Sequence, residues 1–175
     1  KKSKWKQRLR KLISGGLVLF IGFLLIDTLF PLPKVKHFSP EVLAADGSLL
    51  RSYLSDDDKW RMKTRIEDVP SDLPKALIAK EDRWYYWHPG VNPIAIGRAM
   101  IGNISAGQRS SGASTITMQL ARMMEPKPRT LWGKIREAFR AFQLEWHYSK
   151  TEILELYMSY LPYGGNVEGV TAASH

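Results

Sequence analysis

The stretch LISGGLVLFIGFLLIDTLF, residues 12–30, constrains this chain more than any other part of it. A helix of about 20 apolar residues spans the hydrocarbon core of a bilayer, and this run is interrupted mainly by Gly15, Gly16 and Asp27 near its ends. It is long for the apolar region of a signal peptide, and no small-x-small cleavage pattern follows before Pro31 and Pro33. The expectation is one retained transmembrane helix and not a cleaved leader. Residues 1–11, KKSKWKQRLRK, hold seven Lys/Arg and no acid. Such a flank stays cytoplasmic, so a single-pass protein of the cytoplasmic membrane is expected, with its N-terminus inside and residues from about 31 onward outside.

That flank also accounts for most of the net charge of +9, because the remaining residues hold 19 basic against 17 acidic side chains. A nucleic-acid partner is therefore not expected. Cysteine is absent, which excludes a disulfide framework, a thiol nucleophile and a Cys-based metal site. Length allows one domain of ordinary size beside the anchor.

Pro31 and Pro33 cannot continue a helix and mark the membrane exit. EVLAADGSLLRSYL, residues 41–54, places two β-compatible runs around Asp46-Gly47, a pair suited to a tight hairpin turn. Beyond Leu73 the period is helical, in PKALIAKED (74–82), NPIAIGRAMIGNI (92–104), TITMQLARMM (115–124), TLWGKIREAFRAFQLEWHY (130–148) and TEILELYMSYL (151–161). Ser149 and Glu152 form the S-x-x-E pattern of a helix start. The expected organisation is a basic tail over 1–11, a transmembrane helix over 12–30, a stalk with a short β-hairpin over 31–70, and a mainly α domain over 71–175. TAASH carries no terminating signal, so that domain is expected to continue past it.

Two glutamates fall on apolar faces. Glu81 stands at i+7 from Pro74, i+4 from Leu77 and i+3 from Ile78, which places it on the side expected to be buried. Glu137 lines up with Ala141, Leu144 and Tyr148, while Ile135, Phe139, Phe142 and Trp146 form a second apolar stripe roughly opposite. A helix apolar on both sides is expected in the interior. An ionised carboxylate there needs a partner or a raised pKa, and the latter is what a general acid or base uses. Both readings stand: a tuned catalytic pair, or buried ion pairs with Lys134, at i−3, as the partner of Glu137.

In SSGASTITMQLARMM, residues 110–124, Gly112 permits a sharp turn, and Ser114, Thr115 and Thr117 suit either helix capping or an oxyanion. Between 121 and 140, Arg122, Lys127, Arg129, Lys134, Arg136 and Arg140 face only Glu125 and Glu137. Such a run is either a solvated face or a phosphate clamp. His37, His88, His147 and His175 show no H-x-x-x-H spacing, so zinc is not expected, and His88 before Pro-Gly reads as a structural hydrogen-bonder. Ser3 and Lys6 match S-x-x-K, but in the tail on the wrong side of the membrane.

Taken in this order, EDRWYYWHPG (81–90), GASTITMQ (112–119), GKIRE (133–137) and KTEILELYMSYLPYGGNVEGVTAAS (150–174) resemble the motifs of glycosyltransferase family 51. That family is the lysozyme-like peptidoglycan transglycosylase domain of class A penicillin-binding proteins, and the likeness runs from about residue 40 to the end. It implies a mainly α, lysozyme-like fold that polymerises lipid II onto a nascent glycan strand at the membrane, inverting the anomeric centre and releasing undecaprenyl pyrophosphate. Glu81 would be the general base, with Asp82 and His88 holding its segment, and Tyr85 stands where the family commonly has Phe. Ser114, Thr115 and Gln119 match the substrate loop, Met118 replaces a Gln, and Arg122 sits at a usual basic position. Glu137 would be the second acid, aiding pyrophosphate departure with a divalent cation, magnesium or manganese, as the one cofactor implied; no metal ligands are assigned. Lys134 matches the family lysine, Gly133 stands in place of an arginine, and Arg129 is the candidate to supply that charge. Ser159 replaces an Asn. Other cell-wall synthesis proteins are implied as partners.

Two competing readings remain. Paired acids in an α domain also suit a lysozyme-like hydrolase. A membrane-anchored member that binds lipid II without catalysis is the other, since class A proteins continue into a transpeptidase domain and no usable S-x-x-K exists here.

Overall fold

The computed structural model describes residues 2–106 and 114–175, with side chains described over 4–99 and 114–175. Gly112 lies outside the described residues. The chain divides into two compact units, Lys1–Pro33 and Lys34–His175. In the first, helix α1 (Lys2–Leu29) is continuous through the basic flank and the apolar run. Lys, Arg, Gln and Leu are good helix formers, so the tail continues the helix. The segment Lys4–Leu29 is long and apolar enough to cross a membrane. A last backbone bond, Phe30 N–H to Ile26 O at 2.8 Å, closes the helix just before Pro31.

In the second unit, β1 (Glu41–Leu43) and β2 (Leu49–Ser52) form an antiparallel hairpin. Its turn uses Gly47 at φ +84, and Asp46 Oδ1 accepts from the Ser48 N–H at 2.9 Å. A second sheet joins distant segments: β3 (Trp60–Arg61) runs parallel to β5 (Val167–Glu168), which pairs antiparallel with β4 (Pro162–Gly164). Segment 34–70, read from the sequence as a stalk, thus belongs to the same compact unit as the helices.

Arg61 is the clamp at that junction. Its guanidinium is fully buried, and its N–H groups donate to both Asp57 oxygens at 3.1 and 2.8 Å, to Glu168 Oε2 at 2.8 Å and to His37 O at 2.8 Å. The Tyr160 ring lies 5.3 Å from its Cζ. Every face of a buried cation is satisfied, the condition under which its desolvation is offset.

The helices are α2 (Asp72–Glu81), α3 (Pro93–Ala106), α4 (Ile116–Met124), α5 (Leu131–His147), α6 (Lys150–Tyr160) and the short α7 (Val170–Ser174). α4 packs against both α5 and α6. Ile116, Met118, Leu120, Ala121 and Met124 from α4 meet Ala141 and Leu144 of α5 and Ile153, Leu154, Tyr157 and Met158 of α6 in the core. The Ser149–Glu152 capping box forms in full. Ser159, buried in α6, accepts from Thr64 N at 2.9 Å and donates to Glu155 O at 2.7 Å, a structural role.

Two sequence expectations are corrected. The interior helix is α4, whereas α5 buries one side and leaves Ile135, Phe142 and Trp146 exposed. Spacing shows which residues share a face, but which face meets a neighbour depends on the partner, and α4, packed against both α5 and α6, takes the centre. Glu81 does share the face of Pro74, Leu77 and Ile78, yet only Pro74 is buried on α2 and Glu81 is half-buried.

Replacing Arg61 by Met keeps its length but strands two acids, and removal of one member of a buried ion group typically costs about 3–5 kcal/mol. A fall of that size in the unfolding free energy, read from urea melts, is expected. The hydrogen bond from Arg61 outweighs burial and holds the Asp57 carboxyl well below the usual range. A depressed carboxylate contributes stability that is present above about pH 4 and lost as pH falls further, so Arg61→Met should flatten that acid loss, as urea titrations from pH 5 to pH 2 would show.

Candidate active site

α2 ends at Glu81, and Asp82 leaves helical geometry at φ −156 while its N–H still reaches Ile78 O at 3.0 Å. The chain then makes a 3₁₀ turn over Tyr85–Trp87 and arrives at His88. Asp82 is buried. Its carboxylate accepts from His88 Nε2 at 3.0 and 3.1 Å and from the N–H of Ile116, the first residue of α4, at 3.1 Å. A buried anion at a helix N-terminus meets both an unpaired N–H and the positive end of the helix dipole. Asp82 and His88 together therefore hold the 81–90 segment against α4. Gly90 completes the contact at φ +83: a Cβ there would lie 2.7 Å from Ala141 O and 2.9 Å from Glu145 Cγ. Its carbonyl accepts from Thr115 Oγ1 at 2.5 Å.

Glu81 stands beside this buried pair but is half-buried. Gln119, one turn into α4, donates from Nε2 to Glu81 Oε2 at 3.0 Å. Among the described residues no hydrogen bond engages Oε1. The three hydroxyls of the 114–117 stretch have separate tasks. Thr115 caps α4, accepting from Met118 N at 3.1 Å; Ser114 Oγ accepts from Lys134 Nζ; and Thr117 Oγ1 donates to Glu145 Oε1 at 2.7 Å.

The basic run divides in the same way. Lys134 Nζ bridges Ser114 Oγ and Glu137 Oε2, the latter at 3.1 Å, so the i−3 ion pair is formed. The Glu137 side chain is 13% exposed and Lys134 39%. Glu125 engages Lys127 at 3.0 Å and Arg136 and Arg140 at 3.3 Å each. Burial opposes ionisation of Glu125, but these cations prevail and keep its carboxyl below the usual value. Arg122 is half-buried on α4 near the Tyr157 hydroxyl, and Arg129 is exposed in the connection before α5. Among the described residues no contact joins Arg129 to Lys134. Gly133 cannot carry a larger side chain on this backbone, since its Cβ would lie 2.6 Å from Pro128 O.

Sequence reasoning did not single out the support behind the site. Lys150 Nζ donates to Glu145 Oε1 and to His88 O, both at 2.8 Å, and lies 4.5 Å from the Tyr85 ring centroid. Fully buried Tyr85 donates its hydroxyl to Lys150 O at 2.7 Å, so the Tyr that replaces the family's Phe has an acceptor ready. Burial pushes this hydroxyl far above the ordinary tyrosine range. The sequence signal was that Lys150 opens the 150–174 motif and that Glu145 lies five residues before it. Trp84, Tyr86 and Trp87, by contrast, are exposed.

Among the described residues no three acids or histidines converge on one point, and the Glu137 carboxylate already holds Lys134. A magnesium ion held by one or two carboxylates together with water and a substrate's phosphates needs no such cluster.

Known proteins bear the same arrangement of sequence. A family model described as Transglycosylase matches residues 46–175. The chain is similar to penicillin-binding protein 1C of Escherichia coli (strain K12), 45% identical over 165 residues that make up 93% of this chain and 21% of the relative. It is 42% identical over 135 residues to penicillin-binding protein 1A of the same organism, covering 77% of this chain and 16% of that protein. Penicillin-binding protein 1B of Vibrio cholerae matches at 42% over 118 residues, 67% of this chain and 15% of the relative. The chain thus spans about a fifth or less of the length of these relatives. With its mainly helical fold and the Glu81–Asp82 segment pinned to the start of α4, it belongs to the transglycosylase family, the lysozyme-like domain of class A penicillin-binding proteins.

Proposed function

We propose that this chain is the glycosyltransferase portion of a peptidoglycan synthase, polymerising lipid II into glycan strands with release of undecaprenyl pyrophosphate. The observation that carries the reading is Glu81: a half-buried carboxylate held through Oε2 by Gln119, on a segment locked by its neighbour Asp82. A base needs a fixed direction and an accessible lone pair, and Oε1 supplies the second. In the proposed step the acceptor sugar hydroxyl gives its proton to Glu81 Oε1. Its oxygen forms the new bond to the anomeric carbon of the donor as the bond to pyrophosphate breaks, and the electron pair leaves with the pyrophosphate. Displacement from the opposite face inverts that carbon.

On the donor side, Lys134, Arg122 and Arg129 are the cations to receive the pyrophosphate, with Ser114 and Thr115 on the adjoining loop. Glu137 serves here as the partner that aims Lys134; the ion-pair reading of this acid is the one its 3.1 Å contact supports. The membrane is the natural place for a lipid-linked substrate, and α1 supports an anchor, with the basic flank cytoplasmic and residues after 31 outside. A reporter that matures only outside the cytoplasm, fused after His175, should then be active; activity of a cytoplasmic reporter there would reject this orientation.

The two neighbouring acids should separate cleanly. Glu81→Gln keeps size and leaves the thermal midpoint near its parent value, while polymerisation of labelled lipid II by the full-length protein should fall by about 10² to 10⁴, the usual contribution of a general base. Asp82→Ala empties a buried acceptor of several donors and should lower the thermal midpoint as well as activity. Polymer formation at the parental rate by Glu81→Gln would end the assignment, and glycan degradation in place of polymer would favour a hydrolase.

For the donor side, Lys134→Ala and Arg129→Ala should each weaken lipid II binding about ten-fold or more, the value of a lost charge-assisted contact. The thermal midpoint should change little in Arg129→Ala, whereas Lys134→Ala strands the mostly buried Glu137 carboxylate and should lower it. Titration of fluorescent lipid II in detergent measures this, and parental affinity in both variants would leave them as surface charges.

A further inference from the structure

Gln119 has two ends, and the structure uses both. Nε2 donates to Glu81 Oε2 at 3.0 Å, and Oε1 accepts from the Tyr157 hydroxyl at 3.3 Å. Tyr157 comes from α6, is 2% exposed and lies among the side chains where α6 packs on α4. A primary amide occupies nearly the same volume either way round, so its orientation is decided by what its ends meet. Reversed, Gln119 would aim its carbonyl oxygen at a carboxylate, two acceptors face to face. Glu81, which only accepts, selects the orientation, and the Tyr157 hydroxyl, donating to Oε1, holds the far end of the amide in place.

The hydroxyl is held in donor form. Burial first and the Glu81 charge second push it up to about 12, with Arg122 opposing, so it keeps its proton at neutral pH. The charged and titratable groups around it are Glu81 at the end of α2, Arg122 on α4 and Tyr163 on β4.

We infer that Tyr157 is a positioning residue for the base, fixing the Gln119 amide so that Glu81 receives an N–H on Oε2 and presents Oε1 to the acceptor hydroxyl. Its catalytic consequence rests on the reading of Glu81 as the base, whereas its effect on the Glu81 carboxylate does not. With the hydroxyl gone the amide is tethered only at its Glu81 end, its direction toward the carboxylate loosens, and the carboxylate loses part of its stabilising donor. Loss of a hydrogen bond to the charged form makes a carboxyl easier to protonate.

Tyr157→Phe removes one oxygen and leaves the ring in place. In the chain with ¹³C-labelled glutamate δ-carbons, and the Glu81 signal assigned by its loss in Glu81→Gln, the Glu81 titration curve should move to higher pH. Gln119→Ala should raise it similarly, and the double variant should go no higher than Gln119→Ala alone. In full-length protein, Tyr157→Phe should lower kcat for lipid II polymerisation roughly ten-fold with KM nearly unchanged, and add nothing in the Gln119→Ala background. An unmoved Glu81 midpoint in Tyr157→Phe, or additive losses in kcat, would overturn the proposal. A parent that makes no polymer would instead reject the proposed function, and the titration would still decide the role of Tyr157.

Discussion

The site depends on one buried anion. Asp82 cannot stay ionised inside the protein unless its oxygens are satisfied, and the donors available are the His88 ring and the first N–H of α4. Meeting that demand folds residues 82–88 into a tight turn and brings the end of α2 to the start of α4. Gly90 then passes so close to Ala141 O that no Cβ fits, and Thr115 closes the loop from the other side. Glu81 inherits its place from this arrangement, since it is adjacent in sequence to the anchored residue and itself remains half-buried. The division follows from electrostatics: the acid that organises must be enclosed by donors, and the acid proposed as the base must keep a lone pair uncommitted.

Cations are handled by the same rule. Arg61 is enclosed by Asp57, Glu168, His37 O and the Tyr160 ring, and it binds the segment after the hairpin to the last strands of the unit. Glu125 engages Lys127, Arg136 and Arg140, which removes much of the basic run from any role toward a ligand. Of that run there remain Arg122, Arg129 and a Lys134 shared between Ser114 and Glu137. Partial exposure of that last pair lets an anion compete for the ammonium at modest desolvation cost.

Two departures from the family motifs have local physical accounts. Tyr85 adds a hydroxyl to a fully buried ring, which would be costly without an acceptor, and Lys150 O provides one at 2.7 Å. Gly133 lies against Pro128 O so closely that the family's arginine has no room on this backbone.

Much of this was legible from residue order because it is local. The helical periods, the S-x-x-E cap at Ser149, the structural role of His88 and the Lys134–Glu137 pair all follow from interactions within a few residues, which spacing encodes directly. The family motifs carried the candidate site for a similar reason, since each is a contiguous string. Tertiary structure decided the remainder. Which face of α5 is covered depends on α4, and the half-burial of Glu81 depends on how few neighbours reach α2. The enclosure of Arg61 by Glu168, 107 residues away, and the line from Tyr157 through Gln119 to Glu81 join side chains that no periodicity relates. Sequence patterns report what a helix or turn requires of its own residues; the satisfaction of a buried charge depends on whatever the fold brings to it.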